Sequence, residues 1–255
     1  MSLQQALAKK AEIAYNQKEW AKACDSFDLY FKKTYPDESK PFSIEDGVKL
    51  YQYANSLYNK VFAEKKTDYD QDDIDTIVEY VLSAQKTYNE SSEKEKFPIT
   101  TYFDTYVLLG NIALEMKNYK QAETNFTTAY DIAIKNNCSW RDRLSSQFLR
   151  SIALEYQEKP KEAIELIENG LSIIEEELTK NPEEEIQKDL LGFKTDLESK
   201  KSELEEDLTE QKQNPDILKN DDDANQEEEE EEEGHEDEEK EPTEENQKQE
   251  ELNSP

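Results

Sequence analysis

The sequence predicts an all-α fold, a solenoid of about four helical hairpins closed by a capping helix and followed by a disordered acidic tail. The first observation behind this is a spacing. Tyr106, Leu109, Gly110, Tyr119, Ala122, Phe126 and Ala129 put small residues where the two helices of a hairpin would cross, and aromatic residues where they would leave a gap. The second is a fainter copy: Ser151 takes the glycine position, Ala163 the place of Ala122, Ile167 that of Phe126 and Gly170 that of Ala129. The third is composition. Five glycines and eight prolines in 255 residues suit long helices joined by short turns.

Each element can be justified in order. Residues 3–33 read as a first hairpin, with Leu7, Ala11 and Ala14 on one stripe and Trp20, Ala23 and Phe27 repeating the spacing of Tyr119, Ala122 and Phe126. Pro36 and Pro41 mark the connection, and a helix over about Ile44 to Ala63 buries Val48, Tyr51, Leu57 and Val61. The pattern then breaks at 64–76, where Asp68, Asp70, Asp72, Asp73 and Asp75 crowd together, and resumes at Ile77. This reads as a second hairpin split by a charged insertion. The third hairpin spans about 100–136 and the fourth about 142–179.

After Pro182, the carboxylates Glu183, Glu184 and Glu185 suit a helix N-terminus. Ile186, Leu190, Phe193 and Leu197 then form a stripe, extended more weakly by Leu204 and Leu208. The domain expectation is therefore a repeat domain over 1–180, a capping helix over 181–212 and a tail over 213–255. Lys200, Lys201 and Asp207 fall where a free coiled coil would need apolar residues, so the helix is expected to cap the stack instead.

Charge is unevenly placed. Residues 221–255 hold nineteen acidic and two basic side chains, more than half of the net charge of −31, and only Ala224 and Leu252 are apolar there. Such a stretch cannot bury enough surface to offset the entropy of ordering. Cys24 and Cys138 show no disulfide or zinc spacing, which suits a reducing compartment. With no signal-like segment and no run of 18 apolar residues, a soluble intracellular protein is expected.

The seven residues of the opening pattern resemble the tetratricopeptide unit, a hairpin of about 34 residues that stacks to leave a concave surface for other proteins. A narrower resemblance follows from the order of features. Four hairpins, an acidic break inside the second, a long closing helix and a polyacidic stretch together resemble the NASP-like histone chaperones, a family with an interrupted tetratricopeptide array. The similarity is firmest through YVLLGNIALEMKNYKQAETNFTTAYDIA at 106–133 and RDRLSSQFLRSIALEYQEKPKEAIELIENGLSIIEEEL at 141–178. The chain departs from the family in its short insertion and in placing the long acid run at the C-terminus. The resemblance implies escort of newly made core histones, chiefly the pair of histones three and four, with linker histone and other histone-handling factors as further partners. It also implies nuclear residence with shuttling to the cytoplasm.

A mechanism independent of the family lies in Glu227, Glu228, Glu229, Glu230, Glu231, Glu232 and Glu233, seven carboxylates in a row. A basic client would displace their counterions, so affinity should fall with salt. On the repeats, Asp104, Asn111 and Glu115 are expected on the inner side of the third hairpin, and Phe148, Glu155 and Tyr156 on that of the fourth. An apolar centre with an acidic edge would suit a basic amphipathic helix. Direct nucleic-acid binding is disfavoured by the charge. No enzymatic role and no cofactor or metal is expected: His235, the only histidine, lies in the acid run, and the glycines form no phosphate-binding loop. The alternative is an adaptor for another protein or peptide. A heat-shock carboxylate clamp fits poorly, since Ala8 and Glu12 occupy the matching positions.

Overall fold

Each predicted hairpin forms, because each offers two amphipathic helices that can hide their apolar stripes only against each other and their neighbours. The computed structural model describes residues 1–37, 40–62 and 69–213, with side chains as far as Thr209. Residues Met1–Glu206 form one compact unit. Of the second unit, only the last turns of a helix are described.

Hairpin one pairs α1 (Leu3–Asn16) with α2 (Trp20–Thr34), and hairpin two pairs α3 (Ile44–Phe62) with α4 (Gln71–Glu90). A single 3-10 turn at Lys94–Lys96 leads to hairpin three, α5 (Ile99–Glu115) with α6 (Tyr119–Lys135). Hairpin four pairs α7 (Trp140–Glu155) with α8 (Pro160–Thr179), and α9 (Glu184–Gln213) follows. Contacts run in sequence, each hairpin against the next. The described residues are all-α with tetratricopeptide-like stacking, as the spacing predicts. Ala23, Ala122 and Ala163 are fully buried at equivalent crossings, each followed four residues later by a buried Phe27, Phe126 or Ile167.

The second hairpin differs from expectation. Helix α4 begins at Gln71 rather than Ile77, because Ile74 is an apolar anchor buried between α3 and α4. Asp70 caps this helix, its side chain accepting from the Asp72 backbone N–H at 3.0 Å. Asp72 and Asp73 occupy the first turn, where carboxylates face the positive end of the helix. The aspartates from position 70 onward thus start a helix rather than fill a loop. Asp68 lies outside the described residues, as do most of 64–76 before Tyr69.

The turns were not legible either. Lys18, Lys117, Asn137, Glu158 and Asn181 all have positive φ, although none is glycine. At Lys117 the amide donates to the Leu114 carbonyl and the next amide, Asn118, to the Ala113 carbonyl, both within 3.0 Å. Lys18, Asn137 and Glu158 repeat this two-bond closure. It is the Schellman arrangement, which satisfies carbonyls the helix end leaves open and so offsets the left-handed strain.

Between the first two hairpins a buried carboxylate fixes the connection. Asp46 accepts from the hydroxyls of Tyr30 and Tyr35, each at 2.5 Å, from Ser43 Oγ at 2.7 Å, and pairs with Lys49 at 3.2 Å. Burial pushes its carboxyl up, but these donors outweigh burial and hold it below the ordinary carboxylate value.

Helix α9 takes the place a fifth hairpin's first helix would occupy. Its ion pairs give its direction: Arg141–Asp189 and Glu155–Lys200 run parallel to α7, while Glu175–Lys194 and Glu168–Lys201 run antiparallel to α8. Leu190, Leu197 and Leu204 are buried against Leu144, Ile167 and Ile174. Their seven-residue steps replace the expected stripe: Phe193 is 43% exposed and only edges onto the Trp140 ring, whereas Leu204 is 2% exposed. The lysines that argued against a coiled coil are the ones that tie α9 down.

Candidate functional site

The first helices of the first three hairpins lie in a row, α1 beside α3 and α3 beside α5. Side chains facing along this row build a polar, aromatic surface. Asn55 on α3 donates to the Tyr15 hydroxyl on α1 at 2.9 Å, and Tyr15 also shares a hydrogen bond with Tyr51 of α3. Tyr51 is buried, and burial together with the nearby Asp104 carboxylate of α5 raises its pKa well above the ordinary value. Farther along, burial and Glu115 push Tyr58 up to about 12.

Asp104 is the chemically distinctive group. It sits on α5 within reach of the fields of Tyr15, Tyr51 and Cys138, and the Asp142 carboxylate of α7 acts on it in turn. Burial, and then repulsion from Asp142, push its carboxyl up to about 6. No lysine or arginine offsets these effects. A cation arriving here would relieve both at once, the desolvated charge and the like-charge pair.

The predicted residues divide. Asn111 and Glu115 share the α5 stripe with Asp104, at seven and eleven residues along, which is one face of a helix. Asn111 is half-buried and Glu115 exposed. Phe148 and Glu155 are engaged elsewhere, a correction to the expectation that they line the free surface. Phe148 packs into the apolar cluster shared by α7, α8 and α9, and Glu155 pairs with Lys200 of α9 at 2.8 Å. Tyr156 ends α7, 57% exposed, with its ring stacked on Tyr119 at 5.0 Å. Asp70, Asp72, Asp73 and Asp75 stay at the start of α4, a second helix, and so outside the row of first helices. Glu227, Glu228, Glu229, Glu230, Glu231, Glu232 and Glu233 lie outside the described residues.

The sequence reading placed Tyr51 on the buried face of its helix and overlooked Tyr15 and Tyr58. Tyr15, Tyr51 and Tyr58 each sit on a first helix, one turn-related position from an apolar stripe, and that placement is the signal that could have found them.

Residues 101–176 match the tetratricopeptide repeat family, the stretch from α5 to α8. That stretch, hairpins three and four, is the part of the chain the family model covers. The solved structures agree on the fold. A variant of the Podosopora anserina putative kinesin light chain with nearly identical repeats is 12% identical, with a TM-score of 0.56, covering 86% of this chain and 93% of that one. Aspartyl phosphate phosphatase F from Bacillus subtilis is 17% identical, with a TM-score of 0.50 over 66% of this chain. This chain spans 39% of the length of that phosphatase structure. No curated protein matches it. Stacked repeats of this kind present extended concave surfaces that serve as protein-interaction scaffolds. No helix among the described residues is long and apolar enough to cross a membrane.

Proposed function

We propose that this chain is a histone chaperone rather than an enzyme: it binds core histones, chiefly the pair of histones three and four, and escorts them toward nucleosome assembly in the nucleus. The observation that carries the reading is Asp104, half-buried on the row of first helices, where burial and the field of Asp142 push its carboxyl up and no lysine or arginine among the described residues offsets them. Half-buried Tyr15 lies in the field of Asp104, and half-buried Tyr58 lies farther along the row in that of Glu115, a mix of aromatic and acidic side chains suited to an arginine-rich or lysine-rich helix. The net charge of −31 draws such a client in, and the polyacidic stretch offers it counter-charge in place of DNA. The resemblance to NASP-like chaperones names the histones among all basic clients.

The test is a titration of the full chain with the histone three/four pair, with lysozyme as an unrelated basic protein and with a heat-shock C-terminal peptide. The expected outcome is salt-sensitive binding of the histone pair, weakened about tenfold or more by Asp104→Asn. Glu155→Gln, whose carboxylate already pairs with Lys200, should leave histone affinity unchanged. Equal affinity for lysozyme would reduce the reading to charge attraction. Binding of the heat-shock peptide alone would favour the adaptor alternative.

A further inference from the structure

A second cleft lies on the other helix of the second hairpin. Between the α2–α3 connection and α4 is a cavity of about 450 Å³, its apolar part formed by Pro41, Phe42 and Ile44 and its charged edge by Lys40, Lys86 and Glu90. Where it ends, a shallower depression of about 420 Å³ begins, sharing Ser83 and Lys86 and continuing past Leu82 and Val78 to Glu79 and Asp75. Together they make one groove along α4 from Asp75 to Ser91, roughly 24 Å at the helical rise per residue. Leu82, midway along it, is 50% exposed.

We infer that this groove is an interaction surface for a short amphipathic helix of another protein, one whose apolar stripe carries carboxylates at one end and ammonium groups at the other. The charge pattern gives the polarity. Lys40 and Lys86, against the single carboxylate Glu90, edge the more enclosed end, while Asp75 and Glu79 edge the shallower, more apolar end, which Lys86 also borders. Lys86 is held only loosely by its own helix, 4.0 Å from Glu90 with both side chains about 70% exposed, so a partner carboxylate can recruit it at little cost. A basic client would instead meet two lysines against one carboxylate at the enclosed end. The groove therefore selects against the cationic helices that the Asp104 row attracts. One chain can hold a basic client on its first helices and an acidic-ended partner on α4, the arrangement a handover between two proteins requires.

The experiment uses the full chain and a synthetic amphipathic helix of about fifteen residues, with leucines on one stripe, two glutamates at one end and two lysines at the other. A second peptide carries only glutamate at both ends, and a third only lysine. Calorimetry or fluorescence anisotropy should show the mixed peptide binding best. Leu82→Glu and Lys86→Glu should each weaken it about tenfold or more while leaving the far-ultraviolet circular dichroism, the melting temperature and histone binding unchanged. Failure of the mixed peptide to bind, unchanged affinity in both variants, or tighter binding of the all-lysine peptide would overturn the inference. Sedimentation of the chain alone provides a further arm. A dimer abolished by Leu82→Glu would give the groove to a second copy and overturn the claim of a separate partner. Because histone binding is read in the same variants, failure here leaves the Asp104 reading intact, and the converse holds.

Discussion

Hairpins three and four follow one template with opposite distributions of bulk. In the third, a Cβ on Gly110 would fall 2.3 Å from the Phe126 ring, so the helices close directly on an aromatic side chain. In the fourth, Ser151 takes the glycine's position and the smaller Ile167 the phenylalanine's, both buried, and the serine satisfies its hydroxyl by donating to the Phe148 carbonyl at 2.7 Å. The glycine of that hairpin is Gly170, where a Cβ would lie 3.1 Å from Leu144 and 3.2 Å from Leu197 of α9. The third hairpin uses its small residue to close on itself, and the fourth to admit the closing helix. Their acidic first-helix residues diverge for the same reason: Glu115 stays exposed, while Glu155 is taken by Lys200. A repeat position is a binding position only where no later helix covers it.

The largest expected effect tests the closing helix. Leu197→Ala should lower unfolding stability by about 2–5 kcal/mol, the range for a buried leucine truncated to a cavity. Urea denaturation reads this, and a loss well under 1 kcal/mol would mean that α9 does not complete the core. Next, Gly110→Ala should cost about 1–3 kcal/mol because a rigid ring must move, and Gly170→Ala distinctly less because its neighbours are the methyl ends of leucines. Equal losses would erase the contrast between the two hairpins.

The last effect concerns Asp104, and its sign is specific. Its folded pKa of about 6 is raised above the unfolded value of 3.8, so the charged form is disfavoured by folding. The stability this group contributes is present below about pH 4 and is lost as pH rises through 6. Asp104→Asn should therefore stabilise the chain by about 1–3 kcal/mol at pH 7, the gain shrinking to nothing near pH 4. A residue whose neutralisation strengthened the fold while weakening client binding would be one kept for binding. Thermal melts across pH 4–8 would expose a destabilised or pH-independent variant, which would remove Asp104 from the surface proposed here.

Much of the fold was legible in the chain because crossings and gaps demand particular sizes at particular spacings. Ala122 with Phe126, and Ala163 with Ile167, announce themselves as local pairs. The start of α4 was misplaced because Asp72, Asp73 and Asp75 look like solvated loop residues, and only the burial of Ile74 against another helix shows otherwise. On the candidate surface, Asp104, Asn111 and Glu115 could be read from one helix's period. Tyr15 with Tyr51, and Asp104 with Asp142, could not, since each pair joins different helices.

By itself the sequence determined the hairpins, their order and the acidity of the chain, because helical periodicity, small-residue crossings and net charge are properties of neighbouring residues. Tertiary structure alone decided which carboxylates remain available. Glu155 and Glu115 stand on equivalent ends of successive first helices, and only the packing of α9 gives one of them a lysine and leaves the other to solvent. Electrostatic fate is set by distances across the fold, and those distances are not written in the spacing along the chain.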